Sequence, residues 1–226
     1  HDHFGLVESI RAEGAEHEFS LHEADAALIE NFSKTTQPRL AGLDASLGEF
    51  GVPSDLRERL RADARAAQEI FEAQGEGTRV DRLLRAGDRI EWKDWGLRVL
   101  HSPGHTPGHI LLEEEELGLL FTGDQVMAAA IPNAETFYVS EGPDPADPLA
   151  RRPRFRGLVE MRRSLRRLRG QPYTLLLPGY GPAVRRADRT IRDTLLYYDV
   201  RLQRIDRGLR HLAAMGQDVT AFEIWK

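Results

Sequence analysis

The sequence predicts an α/β fold with a helical C-terminal appendage. Three observations carry this. Two pairs of short apolar runs, 89–92 with 97–100 and 110–112 with 119–121, each flank a turn and read as hairpins. Residues 174–177 read as one further strand of the fully buried type, stopped by Pro178 and Gly179. Segments with an apolar period of three to four residues surround these strands, and the longest of them lies near the end of the chain.

Taken in order, Leu6 and Ile10 share a face and predict a short helix over 4–12, with Gly14 as its stop. Residues 18–21 alternate like a strand. Residues 23–32 read as a helix, with Ala27, Leu28 and Phe32 apolar. The stretch 33–51 has no clear period. Ser54 caps a long helix running to about Gln74, and Gly75 ends it. The first hairpin turns over 93–96, the second over the acidic run 113–118. Residues 131–157 are rich in Pro, Asp and Arg and read as a long loop. Leu158, Met161, Leu165 and Leu168 give an amphipathic helix. Ile191, Leu195, Tyr198, Leu202, Ile205, Leu209 and Leu212 predict one long helix, ended by Gly216. Thr220 with Glu223 forms a capping box that opens another. Internal repeats and low-complexity tracts are absent from the sequence.

Composition narrows the chemistry. With 226 residues the chain is long enough for one sizeable domain and a small appendage. Hydrophobic residues at 41% and charged residues at 30% fit a soluble globular protein. There is no cysteine, which excludes disulfides, thiolate metal sites and cysteine nucleophiles. The longest apolar runs, such as 126–131, are too short to span a bilayer, so no membrane partner is expected. A net charge of −5 argues against a general polyanion binder. Neither a Gly-x-Ser-x-Gly elbow nor a Gly-rich phosphate loop with Lys-Ser/Thr occurs.

Histidine placement stands out. Five of the eight histidines lie in two short stretches: His1 and His3 in HDHFG, and His101, His105 and His109 in HSPGHTPGH. In the second stretch Pro103-Gly104 and Pro107-Gly108 forbid helix or sheet and fix a tight loop around His105. Asp124 comes directly after an apolar strand, with Gly123 beside it. Tyr180 is presented by the Gly/Pro turn 178–182 after another strand. A single Asp after a strand more often caps a turn, and a single His is more often a surface or satisfied core residue. Four such polar presentations, at least three of them at strand ends, instead suggest one metal centre built from imidazoles and carboxylates.

These stretches resemble the metallo-β-lactamase superfamily. Its motifs are His-x-His-x-Asp-His with x-Gly after it, a Pro-Gly-His-Thr-x-Gly-His loop, Gly-Asp, and a late Pro-Gly-His-Gly. Here Asp2-His3-Phe4-Gly5 matches the end of the first, 102–109 the second and Gly123-Asp124 the third. Residues 178–182 match the fourth with Tyr180 in place of the histidine. The end of the chain, 201–223, resembles the small helical C-terminal domain of hydroxyacylglutathione-hydrolase-like members. The resemblance implies an αββα sandwich over 1–186, with 36–77 as a helical insertion and 187–226 as a C-terminal helical domain. It also implies strands and two further histidines ahead of His1, so that the first sheet is incomplete in this chain.

The ligand set is likewise what the resemblance implies. One metal takes the two histidines ahead of His1 together with His105. The other takes Asp2, His3 and the late residue, here Tyr180, and Asp124 bridges both. Asp2 also orients the attacking water, which makes it the catalytic carboxylate. His109 stands behind the ligands and fixes the loop, and no ligand role is carried onto His1. A phenol titrates near 10 and binds zinc less well than imidazole at neutral pH, so Tyr180 is either a ligand or a substrate contact. The implied metal is zinc, one or two ions, with iron or manganese as alternatives. The implied reaction is attack of a metal-activated hydroxide on an ester, thioester or lactone. Two alternatives stay open: a scaffold of this fold with an impaired metal site and no catalysis, and a nuclease.

Residues 151–169 hold nine arginines against the single acid Glu160. A solvated helix face is the plainer reading; a rim attracting an anionic substrate, such as a glutathione-like or coenzyme-A-like thioester, or RNA, is the functional one. Few exposed-looking aromatic residues interleave with these arginines, so nucleic acid is not an expected partner. A cytoplasmic location and association into a homodimer complete the expectations.

Overall fold

The computed structural model describes residues 3–14, 17–30, 32–34, 43, 46–75, 77–134 and 155–226. Its elements run α1 (Val7–Ala12), β1 (Ser20–His22), α2 (Glu23–Glu30), α3 (Ser54–Gly75), β2 (Arg82–Leu84), β3 (Arg89–Trp92), β4 (Trp95–His101), β5 (Ile110–Glu114), β6 (Leu119–Gly123), α4 (Gly157–Leu168), β7 (Leu175–Pro178), α5 (Ala187–Ala214) and α6 (Ala221–Trp225). The chain divides into two units. One comprises His1–His17, Leu28–Arg79 and Tyr197–Lys226, the other Glu18–Ala27 and Val80–Leu196.

The second unit holds both sheets. β1 and β2 form a parallel pair, and β3-β4-β5-β6-β7 a five-stranded sheet. β3 to β6 pair antiparallel in sequence order, and β7 joins β6 in parallel. Strands β4, β6 and β7 therefore point the same way, and their C-terminal ends share one edge of the sheet. The loop 102–109, the turn after Gly123 and the turn after Pro178 all leave from that edge.

Register explains where the core sits. Leu100 pairs with Leu111, Arg98 with Glu113, Glu113 with Leu120, and Leu120 with Leu176, so these side chains share a face. On it Leu111, Leu120 and Leu176 are at most 1% exposed, and Met161, Leu165 and Ile191 from α4 and α5 are fully buried. On the opposite face Leu112, Phe121, Leu175 and Leu177 are half-buried and Val99 is fully buried. The apolar spacing of α4 thus does what its sequence period requires: Met161, Leu165 and Leu168 are its buried stripe.

In the first unit Phe4 is buried and meets Phe32 edge to face at 5.8 Å between ring centres. The Phe222 backbone N–H donates to the Phe50 carbonyl, which ties α6 to the segment ahead of α3. Thr220 Oγ1 accepts from the Glu223 N–H at 3.2 Å, the cap foreseen for α6.

Some expectations change. The second hairpin turns over 115–118, because Glu113 and Glu114 belong to β5. Glu113 is buried and its charge is answered by Arg98 across the strand pair, which lets a carboxylate sit in the sheet. β2, three residues long, carries no sequence period and was not foreseen. The long helix is continuous over α5, but its apolar stripe is unevenly covered. Ile191, Leu195, Tyr198 and Leu212 are buried, whereas Ile205 is exposed. Of the loop expected over 131–157, residues 135–154 lie outside the described residues, as do Arg151, Arg152 and Arg154. No helix among the described residues is long and apolar enough to cross a membrane.

Candidate metal centre

Three strand ends build the site. The loop after β4 carries His105 and His109, the turn after β6 carries Asp124, and the turn after β7 carries Tyr180. The Gly179 N–H donates to the Gly123 carbonyl at 2.8 Å, so the last two turns are hydrogen-bonded to each other.

His105 and Asp124 face one another, with Nε2 3.1 Å from Oδ2. The other ring nitrogen, Nδ1, lies 2.9 Å from the Asn133 carbonyl, which can only accept, so Nδ1 carries a proton. In a neutral imidazole Nε2 then presents a lone pair to a carboxylate oxygen. Two acceptors at that separation need a cation or a shared proton between them. Donor atoms of a tetrahedral zinc site sit about 3.3 Å apart, given bonds near 2.0–2.2 Å. The pair therefore fits a metal ion in both chemistry and spacing. Asp124 is buried, and a buried carboxylate is costly unless its charge is met.

His109 acts from behind. Its Nε2 accepts the Asp124 backbone N–H at 3.1 Å, and its ring meets that of His105 edge to face at 5.9 Å between centres. Gly123 makes this approach possible. Its φ is +48°, and a Cβ there would lie 2.9 Å from His109 Nε2. Gly104 serves the same loop. At φ +152° it lets the loop pack on α4, where a Cβ would lie 2.5 Å from the Met161 Cα. Ser164 Oγ on α4 donates to the Pro103 carbonyl at 2.9 Å and adds a second tie.

The sequence reading missed Asp25. This carboxylate in the first turn of α2 accepts from Thr106 Oγ1 at 2.5 Å and from the Gly108 N–H at 2.7 Å, bracketing the loop beyond His105. Burial pushes its pKa up, against the two hydrogen bonds and the nearby His101 and His105 that pull it down. Only its place in a helix-opening turn could have flagged it, and that signal fits a cap equally well. Two further histidines brace the loop. His101 Nε2 donates to the Pro107 carbonyl at 2.8 Å. The His101 ring stacks on His22 at 4.0 Å, and His22 Nδ1 accepts the Ala24 N–H at 3.2 Å, capping α2. Burial and the neighbouring His101 lower the His22 pKa.

The remaining sequence-derived site residues are Asp2, His3 and Tyr180. Asp2 lies outside the described residues, as does His1. His3 is an exposed turn residue and belongs to the other unit. Tyr180 is 46% exposed in its turn. Among the described residues, no group of three or more His, Asp or Glu side chains is gathered at metal-binding distances.

Comparisons with known proteins agree with this architecture. The profile of the metallo-beta-lactamase superfamily matches residues 1–180. A probable metallo-hydrolase of Bacillus subtilis (strain 168) is 32% identical over 143 residues, 61% of this chain and 39% of that protein. A hydroxyacylglutathione hydrolase of Erythrobacter litoralis (strain HTCC2594) is 35% identical over 78 residues, 34% of this chain and 30% of that protein. The chain thus matches well under half the length of either relative. Among solved structures, a beta-lactamase domain protein from Burkholderia ambifaria superposes with a TM-score of 0.67 at 19% identity, over 97% of this chain and 58% of that one.

Proposed function

The chain belongs to the metallo-beta-lactamase superfamily, and from that premise we propose that it is a metal-dependent hydrolase acting on a small-molecule ester-type bond, a thioester ahead of an ester or lactone. The observation that carries this reading is the His105–Asp124 pair, two lone-pair donors held 3.1 Å apart and braced from behind. The similarity to a hydroxyacylglutathione hydrolase supports the thioester.

His105 and Asp124 would hold the metal; Asp2 and His3 are further ligands only as the family motif implies them. Zinc is the preferred ion, with iron or manganese as alternatives. When bound, the metal supplies Lewis-acid polarisation of the carbonyl and makes water acidic enough to attack near neutral pH. The protein's own groups do the rest. Asn133 holds His105 Nδ1–H, which fixes the tautomer and aims Nε2. His109 holds the Asp124 turn through its backbone N–H. Asp2 orients the attacking water. Tyr180 offers a phenol that donates a hydrogen bond to substrate or leaving group. Arginines of the α4 segment, such as Arg162 and Arg166, draw an anionic substrate towards the protein.

A binding-only scaffold is the second reading, favoured by Tyr180 where the family carries a histidine. One experiment separates them: hydrolysis of an acyl-glutathione and an acyl-coenzyme A thioester, monitored by thiol release, before and after chelation and after zinc is restored. The hydrolase reading expects turnover that chelator abolishes, zinc restores and Asp124→Asn lowers by at least about a hundredfold. Absence of turnover in the zinc-loaded protein, or turnover indifferent to chelator, overturns it.

A further inference from the structure

We propose that a cavity beside the metal loop is a second binding site, for a small organic carboxylate. Arg167 and Ser102 hold the ligand's head, and Leu100 and Leu168 line its chain. The cavity, about 500 Å³, is walled by β4, β5, α4 and the connection from α4 to β7. That is an ordinary size for a small-molecule pocket. None of His105, His109, Asp124 or Tyr180 lines it, so it is not the metal centre seen from another side.

Charge selects the ligand. Two arginines and one carboxylate reach the wall. Glu113 is already answered within the wall: it accepts from Arg98 and, at 2.9 Å, from the Tyr173 hydroxyl. Arg167 has no carboxylate partner among the described residues. Its Nη2 reaches only the His101 carbonyl at 3.4 Å and Ser164 Oγ at 3.1 Å. The wall therefore carries one unanswered positive charge, which matches a monoanion. Ser102 is 3% exposed, and its Oγ has no hydrogen-bond partner among the described residues. A buried hydroxyl without a partner is unfavourable, and a ligand oxygen would satisfy it. A guanidinium and a hydroxyl bordering the same space suit the two oxygens of a carboxylate.

The rest of the wall selects the ligand's tail. Leu100 and Leu111 share the buried face of the sheet, and Leu168 ends the buried stripe of α4. This apolar surface suits an alkyl chain of several carbons, and inorganic phosphate offers nothing to cover it.

Calorimetric titration of the full chain with hexanoate tests the site, with a chelator present so that no metal takes part. Acetate and inorganic phosphate serve as comparison probes. Saturable one-to-one hexanoate binding is expected, weakened about tenfold or more by Arg167→Gln and measurably by Ser102→Ala. Arg167→Lys should retain part of the affinity, because it keeps the charge and loses the fork. Acetate should bind about tenfold more weakly than hexanoate for want of the chain. Circular dichroism checks that each variant is folded; Ser102→Ala and Arg167→Lys decide the matter should Arg167→Gln fail that check. Absence of saturable binding, affinity unchanged in the folded variants, or tighter binding of phosphate than of hexanoate overturns the proposal.

Discussion

Substitution of Asp25 separates geometry from charge in the clamp on the His105 loop. Its two oxygens accept from Thr106 Oγ1 at 2.5 Å and the Gly108 N–H at 2.7 Å. Burial nevertheless raises its pKa, so the protonated carboxyl suits the site better than the carboxylate. Asparagine resembles that neutral form. Its oxygen still accepts from Gly108, and its amide donates to the Thr106 hydroxyl, which can turn to accept. Asp25→Asn should therefore change stability by no more than about 1 kcal/mol. Asp25→Ala leaves both loop donors stranded at about 1–3 kcal/mol each, for a loss of about 2–6 kcal/mol. At this chain length each kcal/mol shifts a thermal midpoint by about 2–4 °C. Urea and thermal unfolding, read by circular dichroism, measure both variants. Linkage sets the sign with pH. A raised folded pKa contributes stability that is fully present below the ordinary value near 3.8 and lost as pH rises through the folded value. Asp25→Asn should then gain on the parent protein between pH 4 and pH 7. Equal damage from Asn and Ala would refute the reasoning, because the charge itself would then hold the loop.

The same loop and the helix beside it give two more expected outcomes. Gly104→Ala puts a Cβ 2.5 Å from the Met161 Cα at a backbone angle side chains avoid, and should cost about 2–5 kcal/mol in urea unfolding; an unchanged midpoint would mean the loop does not rest on α4. Burial and His101 lower the His22 pKa against the pull of Glu23 and Asp88, so its contribution is fully present above the ordinary value of 6.5 and fades as pH falls through the folded value. His22→Gln should flatten the stability profile between about pH 7 and pH 5, and an unaltered slope would place the titration elsewhere.

What the sequence made legible was whatever local chemistry writes in a few residues. The Pro-Gly pairs around His105 announced an irregular loop, and the period of Met161, Leu165 and Leu168 announced a buried helix face. Thr220 announced a cap, which it forms. What stayed hidden depends on partners far along the chain. Asp25 looks like any acid in a first helical turn, and only the fold brings Thr106 and Gly108 to it. Glu113 reads as part of an acidic turn, because nothing adjacent in sequence reveals that Arg98 and Tyr173 will answer it. β2 is three residues long and is defined by pairing with β1, not by any period of its own. The long helix shows the converse limit. Its period fixed helicity, but the burial of Leu212 and the exposure of Ile205 depend on what packs beside it.

The metal centre is tested most directly by elemental analysis of zinc bound to the full chain and to two variants, Asp124→Ala and His105→Ala. A carboxylate serving both metal positions and an imidazole serving one predict that Asp124→Ala loses most of the zinc and His105→Ala only part of it, with both variants still folded by circular dichroism. Zinc content that neither substitution changes would contradict the assignment of this pair as metal ligands.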